Sequence, residues 1–142
     1  MNAEGSYGRW AYRLVTTPAD VRAALKSASQ ELAAPPRPTW LQALSRFVEE
    51  VRALYGPRLE SVVLYGSRAR GDAVEGSDID TLVVLDHCED FWSELERVGV
   101  AATAVLLDHA VVISAFPISR DDFDAGAGPF VQNVRREGKS VS

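Results

Sequence analysis

The sequence predicts an α+β fold in which a small mixed β-sheet carries helices packed on one face. The predicted elements follow the order helix, helix, strand, strand, helix, strand, helix along 142 residues. The first two strands are separated by a connection too short for a crossover helix, so they should run antiparallel. The third strand follows a helix, which adds it to the same sheet and leaves the helices on one side.

The chain is expected to divide at its proline-rich segment. A first helix should begin at Thr17-Pro18, because threonine is a good N-cap and proline suits the first helical position. It cannot continue through Pro35-Pro36-Arg37-Pro38. We therefore expect residues 1–38 to form an arm, a helix and a linker, and residues 39–142 to form the main domain.

Within the main domain, hydrophobic periodicity predicts each element. A helix should run from Thr39 to Gly56-Pro57. The remaining predicted elements are strands at 61–65, 79–85 and 110–116, helices at 91–106 and 129–138, and a polar loop at 121–128.

The composition excludes several classes of function. The net charge of −5 disfavours a protein that grips nucleic acid backbone or an anionic membrane surface. One cysteine, Cys88, leaves no internal disulfide and no cysteine-based zinc site. The sequence shows neither a signal peptide nor an apolar run long enough to cross a bilayer, so a cytoplasmic location is expected.

A glycine and a serine end the first predicted strand. Gly66 lacks a Cβ, so a ligand could approach its backbone closely, and Ser67 adds a hydroxyl donor. If a helix begins here, its free N–H groups attract anions, and Arg68 and Arg70 could contact phosphate oxygens. Taken alone, these residues are equally compatible with a tight turn.

Two aspartates introduce the second predicted strand. Alternation along a strand places Asp78 and Asp80 on one face, where their charges repel unless a cation lies between them. Carboxylate oxygens are ligands that Mg²⁺ prefers. Alone, the pair could be a solvated loop edge, but together with Gly66-Ser67 at the same sheet end it predicts a site for a metal-bound triphosphate.

The segment Gly-Ser-Arg-Ala-Arg-Gly followed by Ser-Asp-Ile-Asp resembles the signature of the DNA polymerase β-type nucleotidyltransferase superfamily. The fuller match, and the ending Pro-Phe-Val-Gln-Asn-Val-Arg-Arg-Glu-Gly, are similar to the minimal nucleotidyltransferases. That resemblance implies a polymerase β-like palm fold. Many minimal nucleotidyltransferases are encoded beside a HEPN toxin and act as its antitoxin.

The resemblance also implies roles for individual residues. Gly66 and Ser67 would hold the triphosphate of ATP, and Asp78 and Asp80 would bind two Mg²⁺ ions. The enzyme would transfer AMP to a hydroxyl of a partner protein, plausibly a HEPN toxin.

The superfamily usually supplies a third carboxylate from the third strand, and here the match departs. Ala110 stands where that acid is expected. Asp108 is a candidate catalytic residue if the strand begins early, whereas Asp86 lies too far along its strand. Two alternatives therefore stay open: a nucleotide-binding module that neutralises a partner by contact, and a small-molecule nucleotidyltransferase of the aminoglycoside type.

Overall fold

The computed structural model describes residues 39–142 and, before them, the helical and exposed positions Ala19, Arg22, Ala23 and Lys26. The predicted arm, the proline-rich linker and the domain boundary at residue 38 lie outside the described residues and stay predictions.

Residues 39–142 contain five α-helices and four strands. Helix α1 spans Thr39–Tyr55 and a 3₁₀ turn spans Gly56–Arg58. The elements that follow are β1 (Leu59–Tyr65), α2 (Gly66–Arg70), β2 (Ile79–Leu85), α3 (Phe91–His109), β3 (Ile113–Ser119), α4 (Arg120–Ala125), α5 (Gly128–Glu137) and β4 (Lys139–Ser140).

The strands form one mixed sheet in the order β3-β2-β1-β4. Strand β1 runs antiparallel to β2 and to β4, and β2 runs parallel to β3. A parallel pair needs a crossover connection, and α3 provides it between β2 and β3. The predicted mixed sheet with an antiparallel first pair is confirmed.

The two long helices cover one face of the sheet, as the sequence predicts. Phe47 and Val51 of α1 and Val98 of α3 are fully buried against Val62 and Val83 of the sheet. Burying one such side chain contributes about 1.5–3 kcal/mol. This cluster is therefore the main source of stability in the described domain.

The opposite face of the sheet carries a smaller apolar cluster. Val63, Leu82 and Val84 pack there with Val134 of α5, so this helix adds a partial cover to the second face. Side chains alternate along a strand, and Asp80 therefore shares this face with Leu82. The carboxylate lies on the side away from α1 and α3.

Helix α3 is longer than the sequence predicts. Asp90 caps its first turn by accepting a hydrogen bond from the Ser93 backbone N–H at 3.3 Å. The helix continues to His109, and Ala110 ends it in a left-handed conformation with φ of +55°. No helix in the described part of the chain is long and apolar enough to cross a membrane.

Strand β1 begins at Leu59, two residues before its predicted start, and two larger errors concern β3 and the segment after it. Strand β3 begins at Ile113 rather than Ala110, because α3 and its cap occupy the preceding residues. The predicted loop at 121–128 contains α4, whose N-cap Ser119 accepts a hydrogen bond from the Asp122 N–H at 3.1 Å. Acidic residues in the first turn also favour this helix.

Gly138 should be sensitive to a methyl group. An added Cβ would overlap the Val134 carbonyl oxygen and the Val63 side chain at the junction of α5 and β4. We expect Gly138→Ala to lower the free energy of unfolding by about 1–3 kcal/mol in a urea titration. In contrast, Gly99→Ala within α3 meets no atom within 4 Å and should raise stability by up to ~1 kcal/mol. Equal effects of the two substitutions would contradict this packing.

Candidate active site

The turn from β1 into α2 brings the backbone against a carboxylate. Gly66 has φ of +71°, a conformation that other residues rarely adopt. A Cβ at this position would overlap Oδ2 of Asp80, because Tyr65 and Asp80 are cross-strand neighbours in the β1–β2 pair. Glycine is therefore required here both by the backbone angle and by the close approach of Asp80.

The two predicted aspartates lie at the start of β2. Asp80 is half-buried, whereas Asp78, directly before the strand, is exposed. Burial raises the pKa of the Asp80 carboxyl, the nearby charge of Asp78 raises that pKa further, and Arg70 lowers it. The pair therefore carries electrostatic strain that a bound cation would relieve.

Tyr65 closes the β1 side of the site. Burial and then the charge of Asp80 raise the pKa of the Tyr65 phenol to about 12. The Tyr65 ring packs edge-on against Phe130 of α5 with 5.4 Å between ring centroids. The Tyr65 phenol beside the carboxylate is thus a weaker acid than an ordinary tyrosine.

A glutamate that the sequence did not reveal joins this site. Glu137, the last residue of α5, accepts a hydrogen bond from the Gly66 N–H at 3.2 Å. Arg70 donates to Glu137 at 3.3 Å and to Asp72 at 3.1 Å. Arg70 is thereby held beside Gly66. No local pattern marks Glu137, since its partners lie 71 and 67 residues earlier in the chain.

The other predicted arginine points elsewhere. The guanidinium of Arg68 lies over the Trp40 ring, 5.0 Å from its centroid. Its Nη2 donates to the Ser77 carbonyl oxygen at 3.3 Å. Arg68 therefore contacts the start of α1 and the loop before Asp78. The nucleotide-binding role predicted for Arg68 remains a prediction.

The residue facing the carboxylates from β3 is a serine. The parallel register places Ser114 opposite Asp80, and Ile113 opposite Ile79. Ala110, the residue assigned to the third acid from the sequence, is the cap of α3 and does not belong to β3. That placement was wrong, because the apolar run at 110–116 does not show where the strand begins.

The predicted third catalytic acid, Asp108, lies in α3. Its carboxylate forms an ion pair with Arg46 of α1 at 3.0 Å, and its role depended on an earlier start of β3. Asp86 lies beyond the far end of β2 and contacts Arg58 and His87. Among the described residues, no group of three or more His, Cys, Asp or Glu side chains is arranged to hold a metal ion.

The available donors still fit a divalent cation shared with a ligand. Asp78 and Asp80 offer hard carboxylate oxygens, and burial first and the nearby charge of Asp78 second raise the pKa of the Asp80 carboxyl. Mg²⁺ is commonly held by one or two carboxylates together with phosphate oxygens of a substrate. The geometry thus defines a site suited to a metal-bound phosphate compound.

Comparison with known proteins assigns this arrangement to a family. The description "Nucleotidyltransferase domain" applies to the family that matches residues 44–117, a range that includes Gly66, Ser67 and both aspartates. The chain belongs to this family. The resemblance to nucleotidyltransferases and the enzyme class predicted from the sequence are confirmed.

A curated relative supports the same assignment. The Methanocaldococcus jannaschii protein named "Putative protein adenylyltransferase MJ0604" is 36% identical over 99 residues, which cover 69% of this chain and 93% of the relative. This match extends across nearly the whole of that protein.

Solved structures show more distant similarity. A Sulfolobus solfataricus protein described as a nucleotidyltransferase is 20% identical, with a TM-score of 0.49 and coverage of 76% of this chain and 89% of that chain. A toxin-antitoxin crystallised with AMP-PNP is 19% identical, with a TM-score of 0.49 and coverage of 66% and 68%. At these values neither similarity carries a conclusion about function.

Gly66→Ala should disable the site. The new Cβ would push Asp80 away, so we expect the affinity for ATP with Mg²⁺ to fall at least ~10-fold, measured by isothermal titration calorimetry. Gly56→Ala is the matched control, since Gly56 also has a positive φ, of +53°, but has no atom within 4 Å of an added Cβ. The Gly56→Ala variant should be less stable than the parent but should keep its affinity for ATP with Mg²⁺. Equal affinities of the two variants would contradict the predicted clash.

Asp80→Asn should stabilise the metal-free protein at neutral pH. Because folding raises the pKa of Asp80, the ionised carboxylate is less favourable in the folded than in the unfolded state. The gain should be complete above the raised pKa and should disappear as the pH falls below the ordinary value of 3.8. Thermal unfolding of the parent and the variant in EDTA, from neutral pH to below pH 3.8, measures this gain in stability. A variant less stable than the parent at neutral pH would disprove the argument.

Proposed function

We propose that this chain transfers AMP from ATP, with Mg²⁺, to a hydroxyl group on a partner protein. One observation carries the proposal: Gly66 brings the start of α2 against Asp80, and Asp78 lies near enough for its charge to raise the pKa of the Asp80 carboxyl. This places a backbone suited to phosphate next to the residues suited to a metal. The family assignment to nucleotidyltransferases supports the same chemistry.

The proposed site divides the nucleotide contacts between two strands. Gly66 and Ser67 at the start of α2, directly after β1, would bind the triphosphate, with Arg70 close enough to contribute a positive charge. Asp78 and Asp80 at the start of β2 would hold Mg²⁺. When bound, Mg²⁺ neutralises phosphate charge and favours attack by a hydroxyl and departure of pyrophosphate.

The chain's own residues would mainly orient the reactants. The acceptor oxygen forms a bond to the α-phosphorus as the bond to the bridging oxygen of pyrophosphate breaks. Since Asp78 and Asp80 are assigned to the metal and Ser114 cannot act as a base, the hydroxyl proton passes to water. No covalent intermediate on the enzyme is required, and most of the rate enhancement comes from positioning and charge.

A protein acceptor is supported by the curated relative, which is named as a protein adenylyltransferase. The resemblance to minimal nucleotidyltransferases extends the proposal to a HEPN toxin as partner, with this chain as its antitoxin. The described domain is also small, which favours an acceptor that brings its own folded structure to the site.

A non-catalytic binding module is the second candidate, and Ser114 is the observation that favours it. Loss of a general base typically lowers a rate ~10²–10⁴-fold. If no described residue, Glu137 included, replaces the third acid, the chain could bind nucleotide tightly and act on its partner by contact. This candidate predicts that neutralisation of the partner survives substitution of the aspartates.

The deciding experiment uses ATP labelled on the α-phosphate. The purified chain is incubated with labelled ATP, Mg²⁺ and lysate of the source organism, alongside Asp80→Asn. We expect a labelled protein band only with the unmodified chain, because the substitution removes a metal ligand. Asp124→Asn, an exposed carboxylate on α4, is the control and should label normally.

Other outcomes separate the candidates. Tight binding of ATP with Mg²⁺ but no labelled band with any protein would favour the binding module. Labelling that persists in Asp80→Asn would contradict the proposed site. Loss of labelling in Asp108→Asn, despite its ion pair with Arg46, would support the role of third carboxylate that the sequence suggested.

A further inference from the structure

The two arginines of α2 face different surroundings, although the sequence offers both as phosphate ligands. Arg70 is exposed and reaches Glu137 beside Gly66. Arg68 is half-buried and turns toward Trp40 and the loop that precedes β2. This difference raises the question of what Arg68 does.

Arg68 is committed to contacts within the protein. Its guanidinium stacks over Trp40 and donates to the Ser77 carbonyl oxygen, while its buried Nε has no hydrogen-bond partner. These groups line a cavity of about 430 Å³ between the start of α1, the loop and the end of α3. A flat guanidinium can lie on a ring and donate in its own plane, a geometry that the compact ammonium of lysine lacks.

The contact partner of Arg68 directly precedes a catalytic candidate. Ser77 closes a turn with Val74, since its N–H donates to the Val74 carbonyl at 3.1 Å and its hydroxyl accepts from the Val74 N–H at 3.0 Å. On the other side of Asp78, the Ile79 N–H donates to Val112 at 3.0 Å. Asp78 therefore lies between Ser77 and Ile79, both of which are held by hydrogen bonds.

Asp78 depends on these neighbours for its position. Its carboxylate is exposed, and within residues 39–142 it has no hydrogen bond or ion pair that would hold it. The position of the Asp78 Cα is thus set by the backbone on either side. Among the hydrogen bonds that hold Ser77 and Ile79, the one from Arg68 comes from a side chain outside the loop.

We propose that Arg68 is a positioning residue, which together with Trp40 fixes the Ser77 carbonyl and so holds Asp78 where the metal-bound nucleotide needs it. The inference rests on the proposed function for the role of Asp78. Arg68 thereby acts through the loop and contacts no phosphate. Trp40 has a function in this arrangement that no motif indicates.

The first measurement is amide hydrogen exchange of residues 72–78 in the nucleotide-free chain. Arg68→Lys and Arg68→Met should both speed exchange about ten-fold, the effect of losing one charge-assisted hydrogen bond. Trp40→Leu should act in the same direction, whereas Trp40→Phe retains a ring and should stay close to the parent. Arg52→Met, an exposed arginine on α1, is the control and should leave the loop unchanged.

The second measurement is the affinity for ATP with Mg²⁺ in a double-substitution cycle. Arg68→Met and Trp40→Leu should each weaken binding about ten-fold, and the pair together should be no worse than Arg68→Met alone. Arg68→Lys should resemble Arg68→Met. If Arg68 were instead a phosphate ligand, the Arg68→Lys variant would keep most of the affinity for ATP with Mg²⁺. The effects of Arg68→Met and Trp40→Leu on that affinity would then add.

Each result decides between the two roles. Unchanged loop exchange in Arg68→Met overturns the proposal, as does faster exchange with unchanged nucleotide affinity. If the unmodified chain does not bind ATP with Mg²⁺, the proposed function fails, and with it the role of Asp78. The exchange rates then still show whether Arg68 and Trp40 fix the loop.

Discussion

The register between β1 and β2 is the constraint on which the rest of the site depends. It places Tyr65 beside Asp80 and so brings the turn at Gly66 against the carboxylate. A shift by one residue would turn Asp80 toward α1 and α3 and expose the core residues of β2. Because Val83 and Leu85 are fully buried on that side, hydrophobic burial enforces the same register that the chemistry requires.

The sequence predicted the features that are encoded locally. The bounds of β2 at 79–85 and the start of α1 at Thr39 agree with the structure, because the apolar run of the strand and the apolar period of the helix lie within the elements themselves. The glycine turn and the aspartate pair could likewise be predicted from the sequence. Their residue types are uncommon in the middle of a buried segment unless a turn or a ligand requires them.

The features that were missed depend on contacts between distant residues. Val111 and Val112 favour a strand, yet α3 continues through Asp108, whose ion pair with Arg46 and the left-handed Ala110 fix the helix end. Ser114 faces Asp80 only because of the parallel register. Likewise, nothing near Glu137 or Trp40 in the sequence indicates that they contact Gly66 and Arg68.

The antiparallel β1–β2 pair has a consequence for synthesis on the ribosome. Gly66, Asp78 and Asp80 belong to one short stretch of chain, so their contacts have low sequence separation and can form quickly. Glu137 leaves the ribosome much later. The contacts between the glycine turn and Asp80 can therefore form before α5 is available, and the Gly66 N–H gains its carboxylate partner only when α5 has folded.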